Sequence, residues 1–327
     1  ALFDFASRNN LTLVHGLNDM YGRPTKEKEE HSICSSSSCP PLNTSNIEAL
    51  LTWIYDNSLD THLYGLELGN ELNKVLAGDA GARAQGNDLK TLQNIVSSTW
   101  SDPQRRRPKL VGPDTHSYTQ RSTEGLQWMG EFANAAQDAI DIYTFHMYIL
   151  GTGSSLDTHH LDKSFLSADA LDESGKEVRA IRKAIKEAGS TFAGQLWGGE
   201  TAAANQGGRE GTTNTFADSF WYLDQVSTAG TASLFTWSFL WLFTNVKICF
   251  FFFWIQLGQY AVNNVSVFQR QVLLDSNYAM IDVDFDTLTF TPLPDYWVRC
   301  MLWNVECLCV LLRTFPFLFA EYSLDVL

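Results

Sequence analysis

Short apolar runs alternate with longer amphipathic stretches over the first two hundred residues of the chain. In the amphipathic stretches the apolar positions recur at spacings of three and four, which predicts helices. This alternation is typical of parallel β-strands connected by helices. Strands are predicted at 11–18, 62–70, 109–114, 140–149 and 195–201. Helices are predicted at 46–57, 89–100, 123–137, 176–189 and 215–227.

Two later segments do not follow this pattern. The segment 233–258 is almost continuously apolar and long enough to cross a bilayer, but Lys247 lies near its centre, where a lysine costs about 3 kcal/mol on insertion scales. A membrane helix, a buried helix and sequence foreign to the original fold all fit it. The tail after Tyr296 has the same character, and we interpret both segments as translated non-coding sequence such as retained introns.

The length of the chain limits the fold class. A chain of 327 residues with 45% hydrophobic residues can bury one large core or two modest ones, so a β/α barrel of about 250 residues with an appendage fits.

The charge balance disfavours polyanionic partners. The chain has 37 acidic and 23 basic residues, a formal charge of -14, which repels nucleic acid and highly sulfated polymers. The dense basic run comprises Arg105, Arg106, Arg107 and Lys109. It precedes a strand, and we predict a solvated loop there rather than a ligand patch.

The six cysteines show no zinc-binding spacing, so no metal site is predicted. Cys34 and Cys39 could form a small disulfide if the protein is secreted. Glycosylation sequons at Asn10, Asn43 and Asn264 are compatible with a secretory route.

Two glutamates, Glu71 and Glu200, follow predicted strands. The carboxyl ends of barrel strands meet at one rim, where barrel enzymes place their catalytic groups. Hydrolysis of a glycosidic bond with retention needs a carboxylic acid and a carboxylate about 5–5.5 Å apart. We therefore predict that Glu71 and Glu200 form the catalytic pair. A single glutamate in such a place is more often a solvated loop carboxylate.

The sequence around these glutamates resembles a known clan. Asn70 and Glu71 in GNELN resemble the Asn-Glu signature of retaining β/α-barrel glycosidases, and Glu200 in GGETAAANQGG is similar to their nucleophile strand. The resemblance implies that Asn70 hydrogen-bonds the 2-hydroxyl of the sugar, that Glu71 is the general acid/base and that Glu200 is the nucleophile. Because the acid must be protonated at working pH, the pKa of Glu71 is expected to be raised.

Further motifs narrow the resemblance to glycoside hydrolase family 79, the heparanase-like β-glucuronidases. They are LTLVHGLN, YGLELGNELN, LVGPD, YTFHMY, LWGGET, NTFADSFWYLD, QRQVL, SNYAMID and LPDYW. The resemblance implies that His146 and Tyr148 line the site of the glucuronic acid. It also implies that Tyr278, with the backbone at Ser276 and Asn277, holds the uronic carboxylate. His146 as a core histidine and Tyr278 as a packing aromatic are the alternatives.

The same resemblance implies an α/β fold of the (β/α)8 TIM-barrel class. Family members have two barrel strands before the first one here and a C-terminal β-sandwich, so the barrel is expected to be incomplete at the N-terminus with a sandwich remnant. The expected organisation is a partial barrel at 1–230, an apolar insertion at 231–265, the last barrel strand and sandwich start at 266–297, and an atypical tail at 298–327.

The predicted function is a retaining glycoside hydrolase that cleaves β-glucuronide linkages in glycans without a metal or organic cofactor. The resemblance implies a secreted, extracellular, lysosomal or vacuolar protein, with membrane association through 233–258 as an open alternative. Two other interpretations stay open. One is a truncated or mis-spliced heparanase-like product without activity, and the other is a retaining barrel glycosidase of the xylanase or arabinofuranosidase type.

Overall fold

A computed structural model describes seven ranges of the chain: 2–23, 39–116, 123–153, 161–189, 195–226, 263–274 and 276–298. Most of the predicted insertion and nearly all of the predicted tail lie outside these residues, as does the membrane-helix interpretation of 233–258. No helix in the described ranges has the length and apolar character needed to cross a bilayer.

Six parallel strands form one sheet in sequential order, curled into a half-barrel with helices around it. The strands are β1 (Leu13–Leu17), β2 (Leu63–Leu68), β3 (Lys109–Thr115), β4 (Ile142–Met147), β5 (Gln195–Thr201) and β6 (Val265–Arg270). The predicted α/β, barrel-like class is confirmed. All five strands predicted from the first two hundred residues are present.

The helices follow the strands in the expected alternation. They are α1 (Leu2–Arg8), α2 (Ser45–Asp56), α3 (Gly78–Thr99), α4 (Thr123–Ala136), α5 (Leu161–Ser164), α6 (Ala168–Glu187) and α7 (Asp218–Val226). Short 3-10 turns lie at Leu59–His62, Leu72–Lys74 and Gln137–Ala139.

The predicted start of α3 at residue 89 is wrong, because the helix begins at Gly78. Glycines made this stretch look like a loop, since glycine is unfavourable inside a helix by about 1 kcal/mol. Gly86 instead allows α3 to approach α4 closely: a Cβ on Gly86 would lie 2.6 Å from the Cβ of Ala135 and 2.9 Å from the carbonyl oxygen of Phe132.

Alternate side chains of strand β4 pack on opposite faces of the sheet. Tyr143, Phe145 and Met147 pack into the main core with the helices, while Ile142 packs in a second cluster on the opposite face. Because side chains alternate along a strand, His146 shares the face of Ile142. This alternation directs His146 to the interior of the half-barrel.

Ion pairs occupy the N-terminal end of β3. Arg105 contacts the Asp60 carboxylate and lies over the Tyr55 ring at 3.5 Å. Arg107 and Lys109 both contact Asp141, at 3.0 and 3.2 Å. The prediction of a solvated loop that leads into a strand is confirmed, since Arg106 and Lys109 are exposed; the ion pairs to Asp60 and Asp141, which are distant in sequence, were not predicted.

A two-stranded antiparallel hairpin follows β6, formed by β7 (Ile281–Asp284) and β8 (Thr289–Pro292). It lies in the segment predicted to begin a β-sandwich. The domain boundaries themselves stay predictions.

Candidate active site

Glu71 lies at the C-terminal end of β2, where the chain turns into the short 3-10 helix. Its backbone has a φ of 50°, in the left-handed region, and its amide donates to the carbonyl oxygen of Asp114 at 2.9 Å. One carboxylate oxygen accepts from Nδ1 of His146 at 2.8 Å and the other from Nζ of Lys74 at 2.9 Å.

Glu200 is the next-to-last residue of β5 and pairs in register with His146 on β4. The hydroxyl of Tyr148 donates to Oε1 of Glu200. Oε2 of Glu200 lies 3.7 Å from Nδ1 of His146. The nucleophile candidate is thus held by a neighbouring strand.

The two glutamates lie at one rim. One oxygen of Glu71, one nitrogen of His146 and one oxygen of Glu200 all lie within 4.8 Å of one another. These three atoms are close enough to surround a cation. Nδ1 of His146, however, faces carboxylates on two sides and serves as a proton donor, and a protonated nitrogen has no lone pair for a metal.

The electrostatics of Glu71 differ from the prediction. Burial favours a higher pKa, but hydrogen bonds from His146 and Lys74 outweigh it and lower the pKa of Glu71 to about 2. The predicted rise is therefore wrong for this site, because two donors stabilise the carboxylate.

The pKa of His146 shifts in the opposite direction from that of Glu71. Burial disfavours its charged form, but the carboxylates of Asp114, Glu71 and Glu200 outweigh burial and raise its pKa to about 10. The imidazole is 1% exposed. The proton that the carboxylates stabilise on it is therefore held inside the site.

A cavity of about 400 Å³ opens above the glutamates. Its lining residues are Glu71, Lys74, His116, Tyr148, Glu200, Asn205, Gln206 and Tyr278. The rings of Tyr148 and Tyr278 stack with centroids 6.5 Å apart. The lining of this cavity combines carboxylates with aromatic rings, as in many ligand sites.

The remaining predicted residues take different places. Ser276 donates from its hydroxyl to the carbonyl of Gly207 at 2.9 Å, and the carbonyl of Asn277 accepts from Thr213 at 2.6 Å. Both residues fasten the segment of Tyr278 to the loop after β5. Asn70 is exposed and is not among the cavity-lining residues.

Several lining residues were not predicted from the sequence. Lys74 follows Glu71 by three residues, the spacing of one helical turn, and this signal was available. Asn205 and Gln206 lie in the glycine-rich loop after β5, where the sequence has no periodicity that could indicate which side chains point toward the cavity. His116 follows β3 by one residue, and its neighbours in space depend on strand register.

Comparison with known proteins places this geometry in a family. Residues 1–227 match the family described as "Glycosyl hydrolase family 79, N-terminal domain". Heparanase-like protein 3 of Arabidopsis thaliana is 27% identical over 301 residues, which cover 92% of this chain and 45% of that protein. Baicalin-beta-D-glucuronidase of Scutellaria baicalensis is 27% identical over 245 residues, covering 74% of this chain and 37% of that protein.

Among solved structures, the GH51 arabinofuranosidase of Xanthomonas axonopodis pv. citri aligns with a TM-score of 0.51 and 13% identity, covering 90% of this chain and 52% of that chain. This likeness concerns the fold alone. The chain spans less than half the length of the curated relatives described above. With its family match over most of the half-barrel and its paired strand-end glutamates, the chain belongs to glycoside hydrolase family 79, the heparanase-like glycosidases.

Proposed function

We propose that this chain carries the catalytic site of a retaining β-glucuronidase that acts on glycans. The observation that carries the proposal is the pair Glu71 and Glu200 at one rim, with facing atoms within 4.8 Å. Retaining glycosidases hold their carboxyl groups about 5–5.5 Å apart, whereas inverting enzymes leave about 6.5–9.5 Å for a water.

In this mechanism Glu200 attacks the anomeric carbon, and the bond from that carbon to the leaving oxygen breaks. Glu71 donates a proton to the leaving oxygen. Water then attacks the glycosyl-enzyme while Glu71 takes a proton from it, which releases the sugar and restores Glu200.

Tyr148 orients the nucleophile. Burial and the adjacent Glu200 carboxylate raise the pKa of Tyr148 above its usual value, so the hydroxyl keeps its proton and donates it in a hydrogen bond. Donation to Oε1 leaves Oε2 of Glu200 for attack.

The proposed glycone is glucuronic acid. Tyr278, 8% exposed, lines the cavity, and its hydroxyl with nearby backbone donors would hold the single uronic carboxylate. The name of the Scutellaria relative states that it acts on a glucuronide. Family membership favours this substrate over those of the xylanase and arabinofuranosidase types.

The proposed polymer is weakly charged. A formal charge of -14 repels a heavily sulfated chain at long range, and at physiological salt only basic clusters within about 8 Å of the polymer offset it. The run from Arg105 to Lys109 is at the N-terminal end of β3, and its members Arg105, Arg107 and Lys109 are paired with Asp60 and Asp141. Glucuronidated glycans with few sulfates are therefore the proposed substrates over heparan sulfate.

A secreted or vacuolar location belongs to this proposal too. Cys39 is disulfide-bonded, which is typical of oxidising compartments. Its predicted partner Cys34 lies outside the described residues.

The test uses the full chain and a panel of aryl β-glucuronides, β-xylosides and α-arabinofuranosides. We expect turnover of the glucuronide alone, with a first product of β configuration by NMR. Glu200→Ala should be inactive and regain turnover with azide, which replaces the carboxylate nucleophile. An α product first, or unchanged turnover in Glu200→Ala, would contradict the mechanism. A folded chain with no turnover would favour the interpretation as an inactive product.

A further inference from the structure

Asp114, at the end of β3, lies beneath the proposed catalytic pair and has no part in the mechanism above. Its side chain is 6% exposed, and Oδ1 lies 2.6 Å from Nε2 of His146. The other ring nitrogen of His146 contacts Glu71. The imidazole therefore bridges Asp114 and the proposed acid/base.

Asp114 also contacts Glu71 through the backbone. Its carbonyl oxygen accepts from the Glu71 amide at 2.9 Å, and both residues are in the left-handed region, with φ of 55° and 50°. Such a conformation costs a non-glycine residue roughly 1–3 kcal/mol and persists at sites where surrounding contacts enforce it. One residue thus holds both the turn of Glu71 and, through His146, its carboxyl group.

The neighbouring strands β4 and β5 both contact Asp114 closely. The hydroxyl of Thr144 on β4 accepts from the Asp114 amide at 3.0 Å. On β5, a Cβ at Gly199 would lie 2.7 Å from Oδ1 of Asp114 and 3.2 Å from the Cβ of Thr144. Glycine directly before Glu200 is therefore what leaves space for this carboxylate.

The contacts at both nitrogens determine the protonation of His146. Asp114 and Glu71 face one nitrogen each, and Glu200 lies 3.7 Å from Nδ1. A neutral imidazole has one donor and one acceptor, so one carboxylate would then face a lone pair. Two carboxylates at two nitrogens favour the imidazolium.

Other titratable groups near His146 fit this arrangement. Burial, with the charge of Asp114, raises the pKa of Glu67 on β2 to about 8, so Glu67 is neutral at mildly acidic pH. Burial lowers the pKa of His116 despite the nearby charge of Glu71. Lys74 contacts Glu71 from the cavity side, and Tyr148 stays protonated as described above. His146 is thus the cation between Asp114 and the catalytic glutamates.

We propose that Asp114 is a positioning residue that keeps His146 doubly protonated and thereby stores one proton beside Glu71. The inference deepens the proposed function and rests on it. When the leaving oxygen needs a proton, transfer along the bond from Nδ1 of His146 to Oε1 of Glu71 supplies the acid form of Glu71. The ring then keeps the proton on Nε2, facing Asp114.

The substitution Asp114→Asn tests this step because it removes the charge with little change of shape. The amide oxygen accepts from Nε2 of a neutral ring, and Nδ1 then presents a lone pair to Glu71. Glu71 must bind the proton itself, so its pKa rises. We expect the basic limb of the pH profile of kcat/KM, where the site loses this proton, to move downward by about one pH unit or more.

The matched control is Asp141→Asn, the same change directly before β4, at the end of the strand opposite to His146. Asp141 accepts from the Leu110 amide and contacts Arg107 and Lys109, and it is not part of the catalytic site. We expect its pH profile to equal that of the wild type. Asp114→Glu, which restores a carboxylate, should move the profile back toward the wild type.

A measurement independent of turnover separates this inference from the proposed function. Histidine labelled with ¹⁵N in the full chain reports the protonation of both ring nitrogens, and His146→Gln identifies the signal. We expect both nitrogens of His146 to stay protonated through pH 8 in the wild type, and one of them to lose its proton below that pH in Asp114→Asn.

The possible outcomes are distinct. A neutral His146 at pH 7 in the wild type overturns the inference even if the variants do not fold. A profile and ¹⁵N signal of Asp114→Asn that match the wild type overturn it as well. Protonated His146 in a chain without glucuronidase turnover supports the placement of the proton and contradicts the proposed function only.

Discussion

The acidic residues at the two ends of the parallel sheet differ in how many basic partners they have. At the N-terminal end, Asp60 and Asp141 each contact basic side chains from the run before β3. At the C-terminal end, the carboxyl groups of Glu67, Asp114, Glu71 and Glu200 share His146 and Lys74. Matched charges stabilise the fold, whereas a buried surplus of acid provides groups whose protonation can change.

The pKa values reflect this difference. At the N-terminal end, burial opposes ionisation, but hydrogen bonds from Arg105 and Trp100 lower the pKa of Asp60. At the C-terminal end the values diverge, to about 8 for Glu67 and about 2 for Glu71. Titratable groups pushed apart in this way are characteristic of acid/base sites.

The largest effect is expected from Glu200→Gln. Turnover should fall about 10³-fold or more, because an amide cannot act as the nucleophile. The melting temperature should be unchanged or higher, since the change removes one acid from a site with surplus acid. Activity assays and thermal melts on the same preparation check this. A large loss of stability would mean that Glu200 supports the fold as Asp60 does.

Asp60→Ala, at the N-terminal end of the sheet, should lower stability and leave activity unchanged. The indole nitrogen of Trp100 donates to Asp60 at 3.0 Å, and an unpaired buried donor costs about 1–3 kcal/mol. Urea denaturation should show this loss, while kcat/KM well below the melting temperature stays at the wild-type value. Reduced kcat/KM in the folded variant would show that the two ends are coupled.

The stability of the folded protein should depend on pH, because buried acidic residues have pKa values shifted in both directions. Burial raises the pKa of Glu67 and of Asp19 to about 8, so the folded protein binds more protons than the unfolded chain between their ordinary values and pH 8. Stability from these groups is present at low pH and is lost as pH rises to 8. The lowered pKa of Glu71, about 2, acts in the opposite sense, and its contribution is lost as pH falls from about 4.5 to 2.

Thermal melts should therefore show a maximum near pH 4–5 and a decline of roughly 3 °C for each kcal/mol lost toward pH 8. Glu67→Gln should flatten that decline. A melting temperature that rises from pH 5 to 8 would contradict the shifts of Glu67 and Asp19.

The smallest effect is expected from Lys74→Met. Lys74 donates to Glu71 at 2.9 Å, but its side chain is 48% exposed, so solvent screens the pair. The pKa of Glu71 should rise by less than about one unit, while His146 keeps its proton. If the pKa of Glu71 rose as much as is expected in Asp114→Asn, Lys74 rather than His146 would be the residue that sets the pKa of Glu71.

Much of the fold was predictable because parallel strands are apolar runs with polar residues at their ends. The predicted range 195–201 coincides with β5, and 140–149 contains β4. The start of α3 was missed because glycines before residue 89 favour a loop, and the close packing of Gly86 on α4 is not visible in the sequence. Helix α6 also begins earlier than predicted, at Ala168 rather than 176.

The site was predictable in part for a similar reason. Glu71 and Glu200 follow strands, so their common rim follows from topology. The contact of Asp114 with His146 depends on the register between β3 and β4, which shifts between Gly112 and Thr115, and no local pattern encodes that shift. The pKa of Glu71 was mispredicted because its donor His146 lies on β4, distant in sequence, and because Lys74, only three residues away, was not recognised as a second donor.

Gly199 has no functional group, but its missing side chain has a consequence for variation of this protein. A single methyl group there would reach the Asp114 carboxylate, which in turn contacts His146. In a library of variants selected for turnover, we expect position 199 to tolerate substitution as poorly as the proposed nucleophile beside it. A selection would therefore mark this residue as catalytic, although what it supplies is empty volume.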